Sequence, residues 1–240
     1  MVDFHSHILP GIDDGSQSVE QSLEMLSESW KQGVDIIFAT PHFYADQEDP
    51  ASFIERRNEA YRQLHEAIDA STGKYPEIRL GAEVLYFPGI SGAGEVKKLF
   101  MGDLKCILIE PPMMQWSDSM LDEIEETGRN FGCIPVIAHI DRYMRMLSDR
   151  KLIDRVKDRR LLVQVNASFF IHNDTADYSI ELMNKGKIHF IGSDCHNTTS
   201  RAPNLGAAAE SIFRAGRSAD FARFNKRVYS FVGADYEEIY

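Results

Sequence analysis

Cysteine is scarce in this chain: among 240 residues there are three, Cys106, Cys133 and Cys195. Their odd number, their wide spacing and the lack of a Cys-x-x-Cys pair argue against a disulfide framework. Free thiols are typical of a reducing compartment, so we expect the protein to be cytoplasmic.

Long apolar runs and an excess of positive charge are missing as well. No run approaches the roughly 18 apolar residues of a membrane-spanning helix, and the N-terminus lacks the features of a signal peptide. With 26 basic and 37 acidic residues, the net charge of −11 argues against nucleic acid or an anionic membrane as the main partner. A phosphorylated substrate is not excluded, because bound metal ions can reverse the electrostatic field of a site.

Apolar residues make up 43% of the chain and fall into short segments that alternate with helical patterns. Seven segments are predicted to be strands: 2–5, 35–40, 78–84, 106–110, 135–139, 161–166 and 188–194. Later helical stretches are predicted near 149–158, 176–185, 204–215 and 218–227. This alternation favours one α/β domain over residues 1–240, a barrel of seven parallel strands or a distorted eight-stranded one. An open doubly wound sheet is the alternative, but its glycine-rich phosphate fingerprint is missing.

Six of the seven predicted strands end in, or carry near their end, a side chain able to bind metal. In a parallel barrel these ends lie on one face, where the active site belongs. The side chains are His5, His7, His42, Glu83, Glu110, His139, Asp194 and His196. Burying several carboxylates together is costly unless cations offset their repulsion, and mixed imidazole and carboxylate ligands suit manganese, iron or zinc.

The opening stretch DFHSHILPGIDDG adds detail to this site. His5 and His7 are two residues apart on an extended chain, so both imidazoles point to the same side and can bind one ion. Asp13 and Asp14 follow in a turn. The other histidines are weaker candidates: His65 lies on a polar helix face, His189 at the start of a strand, and His172 in a loop, where we interpret it as structural or peripheral.

Together, the segments DFHSHILPGIDDG, ATPH, GAEV, ILIEPP, VIAHIDR and GSDCHN resemble the polymerase and histidinol phosphatase (PHP) superfamily. Within it, the chain is similar to bacterial manganese-dependent tyrosine-protein phosphatases of the CpsB/CapC type, from capsule and exopolysaccharide systems. The resemblance spans residues 2 to 204, and HILPGIDDG is its most specific element. It implies a PHP-type distorted (β/α)7 barrel, similar to a TIM barrel. Three divalent metal ions would lie at the C-terminal ends of its strands, Mn2+ being favoured over iron or zinc.

The resemblance also implies a ligand set. One ion would be held by His5, His7, Glu83 and Asp194, with Glu83 bridging to a second ion that Glu110 and His139 complete. The third would be held by His42 and His196, with Asp14 favoured over Asp13 as its carboxylate.

Arg142 and Arg201 match the family's phosphate-binding arginines. One departure concerns the first of them. The family usually reads His-Pro-Glu-Arg where this chain has His139-Ile140-Asp141-Arg142. Isoleucine in place of proline frees the backbone, which leaves the position of Arg142 less fixed.

The implied activity is metal-assisted hydrolysis of phosphotyrosine on a protein, by attack of a hydroxide that bridges metal ions. The implied partner is the tyrosine-rich tail of a bacterial tyrosine kinase that regulates capsule or exopolysaccharide synthesis. Two alternatives are a small-molecule phosphomonoesterase of the histidinol-phosphatase type and a PHP module that binds metal or a partner without catalysis. The general acid and the oligomeric state stay open.

A second pattern competes with the metal mechanism. Residues 195–201, CHNTTSR, fit the Cys-x5-Arg signature of cysteine-dependent tyrosine phosphatases, in which a thiolate attacks phosphorus. The loop lacks the glycines that ease close approach of backbone to phosphate, and Cys195 is flanked by two proposed ligands. We therefore favour the metal mechanism, with Cys195 filling space between ligands.

Overall fold

A closed ring of parallel strands forms the centre of the protein. The computed structural model describes residues 1–149 and 151–235. Within them the strands are β1 (Val2–Ser6), β2 (Ile36–Ala39), β3 (His42–Phe43), β4 (Glu77–Leu80), β5 (Glu83–Leu85), β6 (Cys106–Glu110), β7 (Ile134–Ile137), β8 (Leu162–Asn166) and β9 (Phe190–Gly192). Hydrogen bonding links them in two series, β1-β2-β4 and β3-β5-β6-β7-β8-β9.

Two of the seven ring positions are each occupied by two consecutive strands. The chain leaves β2, passes Thr40-Pro41 and continues as β3, and it leaves β4, passes Gly81-Ala82 and continues as β5. Proline has no N–H to give to a ladder, which accounts for the first interruption. At Gly81 a Cβ atom would lie 2.5 Å from the sulfur of Met101, so a larger residue there would require Met101 to shift.

The ring closes between its first and last strands. Ser6 forms a parallel bridge with Cys195. The amide of Asp194 donates to the carbonyl of His5 at 2.8 Å, and the amide of His7 donates to the carbonyl of Cys195 at 2.9 Å. Closure excludes the open doubly wound sheet and confirms the predicted distorted seven-stranded barrel.

Helices connect the strands and cover the outside of the ring. They are α1 (Val19–Lys31), α2 (Pro50–Asp69), α3 (Asp118–Phe131), α4 (Ile140–Met146), α5 (Leu152–Lys157), α6 (Ser168–Ile171), α7 (Ala176–Asn184), α8 (Leu205–Arg214) and α9 (Ser218–Phe231). Short 3-10 turns cover Ile90–Gly92 and Gly94–Leu99. Side-chain caps fix several starts: Asp49, for example, accepts hydrogen bonds from the amides of Ala51 and Ser52.

Apolar side chains from both faces of the strands form one core. Phe4 stacks on Phe190 inside it, with ring centroids 3.8 Å apart, and joins the first and last strands. Among the described residues, no helix is long and apolar enough to cross a membrane.

Most predicted elements are present with shifted ends. The helix predicted near 149–158 is α5, Leu152–Lys157, and Arg150 lies outside the described residues. The short helices α4 and α6 and the 3-10 turns were not predicted, because segments of three to seven residues are too short to show a helical repeat.

Candidate metal centre

His5 in β1 and His7 just after it lie side by side and are fully buried. Their Nε2 atoms are 3.1 Å apart, and each lies 3.2 Å from Oε2 of Glu83. Their other ring nitrogens have partners of their own: Nδ1 of His7 lies 2.8 Å from Oδ2 of Asp13, and Nδ1 of His5 lies 3.3 Å from Oε1 of Gln164. With Nδ1 donating in both rings, the Nε2 atoms present lone pairs toward Glu83.

Glu83 is the centre of the cluster, and it is buried. Its Oε2 lies 3.0 Å from Nδ1 of His42, and its Oε1 lies 2.7 Å from Nε2 of His139. Glu110 lies beyond, with its carboxylate oxygens 3.5 Å from Nε2 of His139 and 3.9 Å from Nδ1 of His42. The carboxylate of Glu83 therefore borders four imidazoles, those of His5, His7, His42 and His139.

Asp13 and Asp14, which sequence reasoning could not separate, have different surroundings. Oδ1 of Asp14 lies 3.3 Å from Nε2 of His42 and 3.3 Å from Nε2 of His196. Asp13 instead accepts from the amides of Gly15 at 2.9 Å and His42 at 3.1 Å and contacts the ring of His7. Asp14 is thus the carboxylate that faces two imidazoles, whereas Asp13 fixes the turn and one ring.

The two arginines meet at Asp194. A terminal nitrogen of Arg142 donates to Oδ2 at 2.5 Å, and one of Arg201 donates to Oδ1 at 2.7 Å. Both arginine side chains are about one third exposed, at 36% and 38%, so they border solvent as well as the cluster. Ile140, in the place of the family's proline, is buried at the start of α4, and Arg142 still reaches the site.

The donor set fits divalent metal ions. Three groups of side chains bring ligand atoms within 4.8 Å of one another: His5, His7 and Glu83; His42, Glu83 and Glu110; and His7, Asp14, His42 and His196. Oε2 of Glu83, Nδ1 of His42 and Nε2 of His196 are buried without a hydrogen-bond partner among the described residues. Lone pairs that face one another in this way are stabilised by a cation between them.

The shifted pKa values of Glu83 and Glu110 also indicate that a cation would stabilise this cluster. Burial, and then the negative charge of Glu83, raise the pKa of Glu110 to about 7. Burial also opposes the charge on Glu83, but the surrounding histidines, His5 first, hold the pKa of Glu83 well below its usual range. The carboxylates repel one another, and positive charge at this position relieves that repulsion.

The sixth ring position, β8, supplies no proposed ligand but carries two polar side chains. Gln164 is buried; its Oε1 accepts from the amide of His139 at 2.5 Å, and its Nε2 donates to Oδ1 of Asn166 at 3.1 Å. Asn166 in turn donates to Oδ2 of Asp194 at 2.9 Å. Sequence reasoning missed both residues, although a glutamine within the apolar run LLVQVN is a signal that could have indicated them.

Two proposed ligands have unusual backbone conformations. His139 has a φ of 29° and Asp194 a φ of 52°, values that residues other than glycine rarely adopt. Such strain persists only where neighbours hold it, and it concentrates at functional sites. The bond from the amide of His139 to Gln164 is one such restraint.

The thiol alternative does not fit the structure. Cys195 is fully buried in the core, and burial raises the pKa of its thiol, with the charge of Asp3 adding to the effect. A catalytic cysteine needs an exposed thiolate of lowered pKa. Arg201 of the Cys-x5-Arg pattern contacts Asp194 instead.

The three weaker histidine candidates lie apart from the cluster. His65 is exposed on α2. His189 precedes β9, and its Nδ1 accepts from the amide of Val163 at 3.1 Å. His172 ends α6 and lines a cleft that adjoins the arginines.

A parallel barrel whose strand ends bring five histidines and several carboxylates together defines a protein built to hold divalent metal ions at one face. A model of the family described as capsular polysaccharide synthesis, CpsB/CapC, matches residues 1–223. The chain belongs to this CpsB/CapC family.

Individual relatives agree with this assignment. The tyrosine-protein phosphatase CpsB of Streptococcus pneumoniae is 30% identical over 233 residues, which cover 88% of this chain and 89% of that protein. The tyrosine-protein phosphatase YwqE of Bacillus subtilis strain 168 is 28% identical over 210 residues, covering 84% and 79%.

The fold is also that of a solved relative. A structure from work on YwqE of Bacillus subtilis and CpsB of Streptococcus pneumoniae, there called unique metal-dependent tyrosine phosphatases, superposes with a TM-score of 0.80. The identity is 23%, and the match covers 99% of this chain and 96% of that one.

Proposed function

We propose that this protein is a metal-dependent protein-tyrosine phosphatase of capsule or exopolysaccharide synthesis. The observation that carries the proposal is the meeting of His5 Nε2, His7 Nε2 and Glu83 Oε2 within 3.2 Å, with both Nδ1 atoms already engaged. CpsB of Streptococcus pneumoniae and YwqE of Bacillus subtilis are both named tyrosine-protein phosphatases, which supports the activity.

The ligand assignment follows the family resemblance, and the closeness of the ligand atoms of His5, His7 and Glu83 supports its first ion. His5, His7, Glu83 and Asp194 would hold one ion, and Glu83, Glu110 and His139 a second. His42, His196 and Asp14 would hold the third, and Mn2+ is the favoured metal. When bound, such ions supply Lewis acidity and a hydroxide nucleophile near neutral pH.

The chain's own residues have separate tasks. Arg142 and Arg201 bind and orient the phosphoryl oxygens, for which the planar guanidinium is well suited. Asp194 accepts from both arginines and so holds them at the site. Asp13, Gln164 and Asn166 orient ligands through the hydrogen bonds described above. A phenolate is a fairly good leaving group, so a strong general acid is not essential.

The proposed substrate is phosphotyrosine on a protein, and the family resemblance indicates the tyrosine-rich tail of a bacterial tyrosine kinase. The cytoplasm is the proposed compartment. We also propose that residues 1–240 act as one domain, of which Arg150 and residues 236–240 lie outside the described part.

A substrate comparison tests the proposal. Purified protein supplied with Mn2+ is assayed for phosphate release from a phosphotyrosine peptide and from histidinol phosphate. Preferential turnover of the peptide is expected. Preference for histidinol phosphate would assign the protein to the small-molecule phosphatases. No turnover of either substrate with Mn2+, Fe2+ or Zn2+ would indicate a module that binds without catalysis.

A further inference from the structure

A cleft with a volume of about 670 Å3 extends from the two arginines away from the metal centre. Arg142, Arg201 and Asp194 line its inner end. The outer part lies between α4 and the segment that contains α6 and α7, and it is here called the α4–α7 cleft. Its volume falls within the range of ligand sites and exceeds the space that one phenyl ring needs.

One wall of this cleft is aromatic. Phe169 and Tyr178 meet edge to face, with ring centroids 6.3 Å apart and planes at 87°, and both line the cleft together with Met144. Aromatic rings prefer this geometry, and a third ring can pack against such a pair. The flexible thioether of Met144 adapts to the shape of what it contacts.

The rim of the cleft carries the positively charged side chain of Arg145, which an exposed ion pair holds in place. Arg145 is 61% exposed, and its guanidinium lies 3.6 Å from the carboxylate of Asp174, which is 73% exposed, on the other side of the cleft. Exposed pairs of this kind contribute little stability, so an incoming carboxylate can replace Asp174. Because the chain has a net charge of −11, an acidic ligand needs local positive charge to be attracted, and Arg145 provides it at the rim.

We propose that the α4–α7 cleft is the subsite for the polypeptide that carries the phosphotyrosine. The tyrosyl ring lies along the Phe169–Tyr178 wall, and Arg145 binds an acidic side chain close to the phosphotyrosine in sequence. This inference rests on the proposed function, since it extends the same site from the phosphate to the rest of the substrate.

Steady-state kinetics on three substrates test the role of Arg145. They are p-nitrophenyl phosphate, a phosphotyrosine peptide flanked by glutamates, and the same peptide with glutamines in their place. Arg145→Ala is expected to raise KM for the glutamate peptide roughly three- to five-fold. It should leave kcat for the glutamate peptide unchanged. The KM values for the glutamine peptide and for p-nitrophenyl phosphate should also stay the same.

Two further variants sharpen this test. Asp174→Asn should lower KM for the glutamate peptide, because the competing carboxylate is gone; a purely structural role of the Arg145–Asp174 pair would not give opposite effects. Arg214→Ala is the matched control, because Arg214 is also exposed and paired with an acid, Glu210, but lies outside the cleft lining.

The aromatic wall is tested by inhibition. Phe169→Leu should weaken inhibition by phenylphosphonate several-fold while inhibition by inorganic phosphate stays the same. Two results would overturn the cleft assignment. One is an equal change in KM for the two peptides in Arg145→Ala, and the other is an equal loss of inhibition by phenylphosphonate and by inorganic phosphate in Phe169→Leu. Failure of the wild-type protein to turn over any phosphotyrosine substrate would instead overturn the proposed function.

Discussion

The backbone amide of His139 donates a 2.5 Å hydrogen bond to the side-chain Oε1 of Gln164. The same oxygen lies 3.3 Å from Nδ1 of His5. One uncharged side chain on β8 thus faces two proposed ligands that come from opposite sides of the ring. Residues that orient ligands in this way usually matter nearly as much as the ligands themselves.

Removing this acceptor should loosen the metal centre. Gln164→Leu leaves the buried amide of His139 without a partner, and we expect metal affinity and kcat to fall by roughly 10- to 100-fold. Chelator competition measures the affinity. Gln164→Glu keeps an acceptor oxygen and should retain more bound metal than the leucine variant. Equal metal loss in both variants would show that packing, not the hydrogen bond, is what Gln164 provides.

The neighbouring aspartates should respond differently to the same change. Asp14→Asn removes the carboxylate between His42 and His196, so we expect one fewer ion per chain by mass spectrometry. Asp13→Asn leaves that carboxylate in place but weakens the contact with Nδ1 of His7, so rate should fall while the number of ions stays the same. The reverse pattern would exchange the two roles.

Cys195 should be dispensable for chemistry. Since its thiol is buried in the core and its pKa is raised, Cys195→Ala is expected to keep most of the activity on p-nitrophenyl phosphate. Any loss of stability should come from the small cavity, about 1 kcal/mol. A folded, metal-loaded variant without activity would revive the thiolate mechanism.

Gly192 lies where the ring closes, and a side chain should not fit there. A Cβ atom at this position would lie 2.5 Å from Cβ of His5 and 2.9 Å from Nε2 of Gln164. Gly192→Ala is therefore expected to lower the free energy of unfolding by about 1–3 kcal/mol and to reduce metal content. Gly92→Ala is the control, because no atom lies within 4 Å of its Cβ position. Similar melting temperatures for the two variants would contradict the close approach.

Much of the fold could be predicted because the barrel repeats a simple pattern. Short apolar segments such as Cys106–Glu110, followed by capped helices such as α3, are local features that a sequence shows directly. The breaks within two ring positions were less visible. One break lies at Gly81, whose close approach to Met101 exists only after folding. The other lies at Pro41, which has no N–H to give to the ladder.

In the candidate site, too, some residues could be predicted from the sequence and others could not. Side chains at strand ends, such as Glu83 and Asp194, could be identified because parallel strands bring their carboxyl ends to one face. The positions of Asp13 and Asp14 could not, since their separate partners depend on the turn geometry. Gln164 and Asn166 escaped prediction because neutral amides carry no ligand signature, and their role depends on which ring or amide lies opposite.

Metal content measured together with turnover tests the central claim most directly. The protein is purified without chelator, and its metals are counted by mass spectrometry before and after treatment with EDTA. In parallel, hydrolysis of a phosphotyrosine peptide is followed in the same samples. We predict about three divalent ions per chain, activity that disappears with them, and recovery on addition of Mn2+. Full phosphotyrosine turnover by metal-free protein would contradict the account.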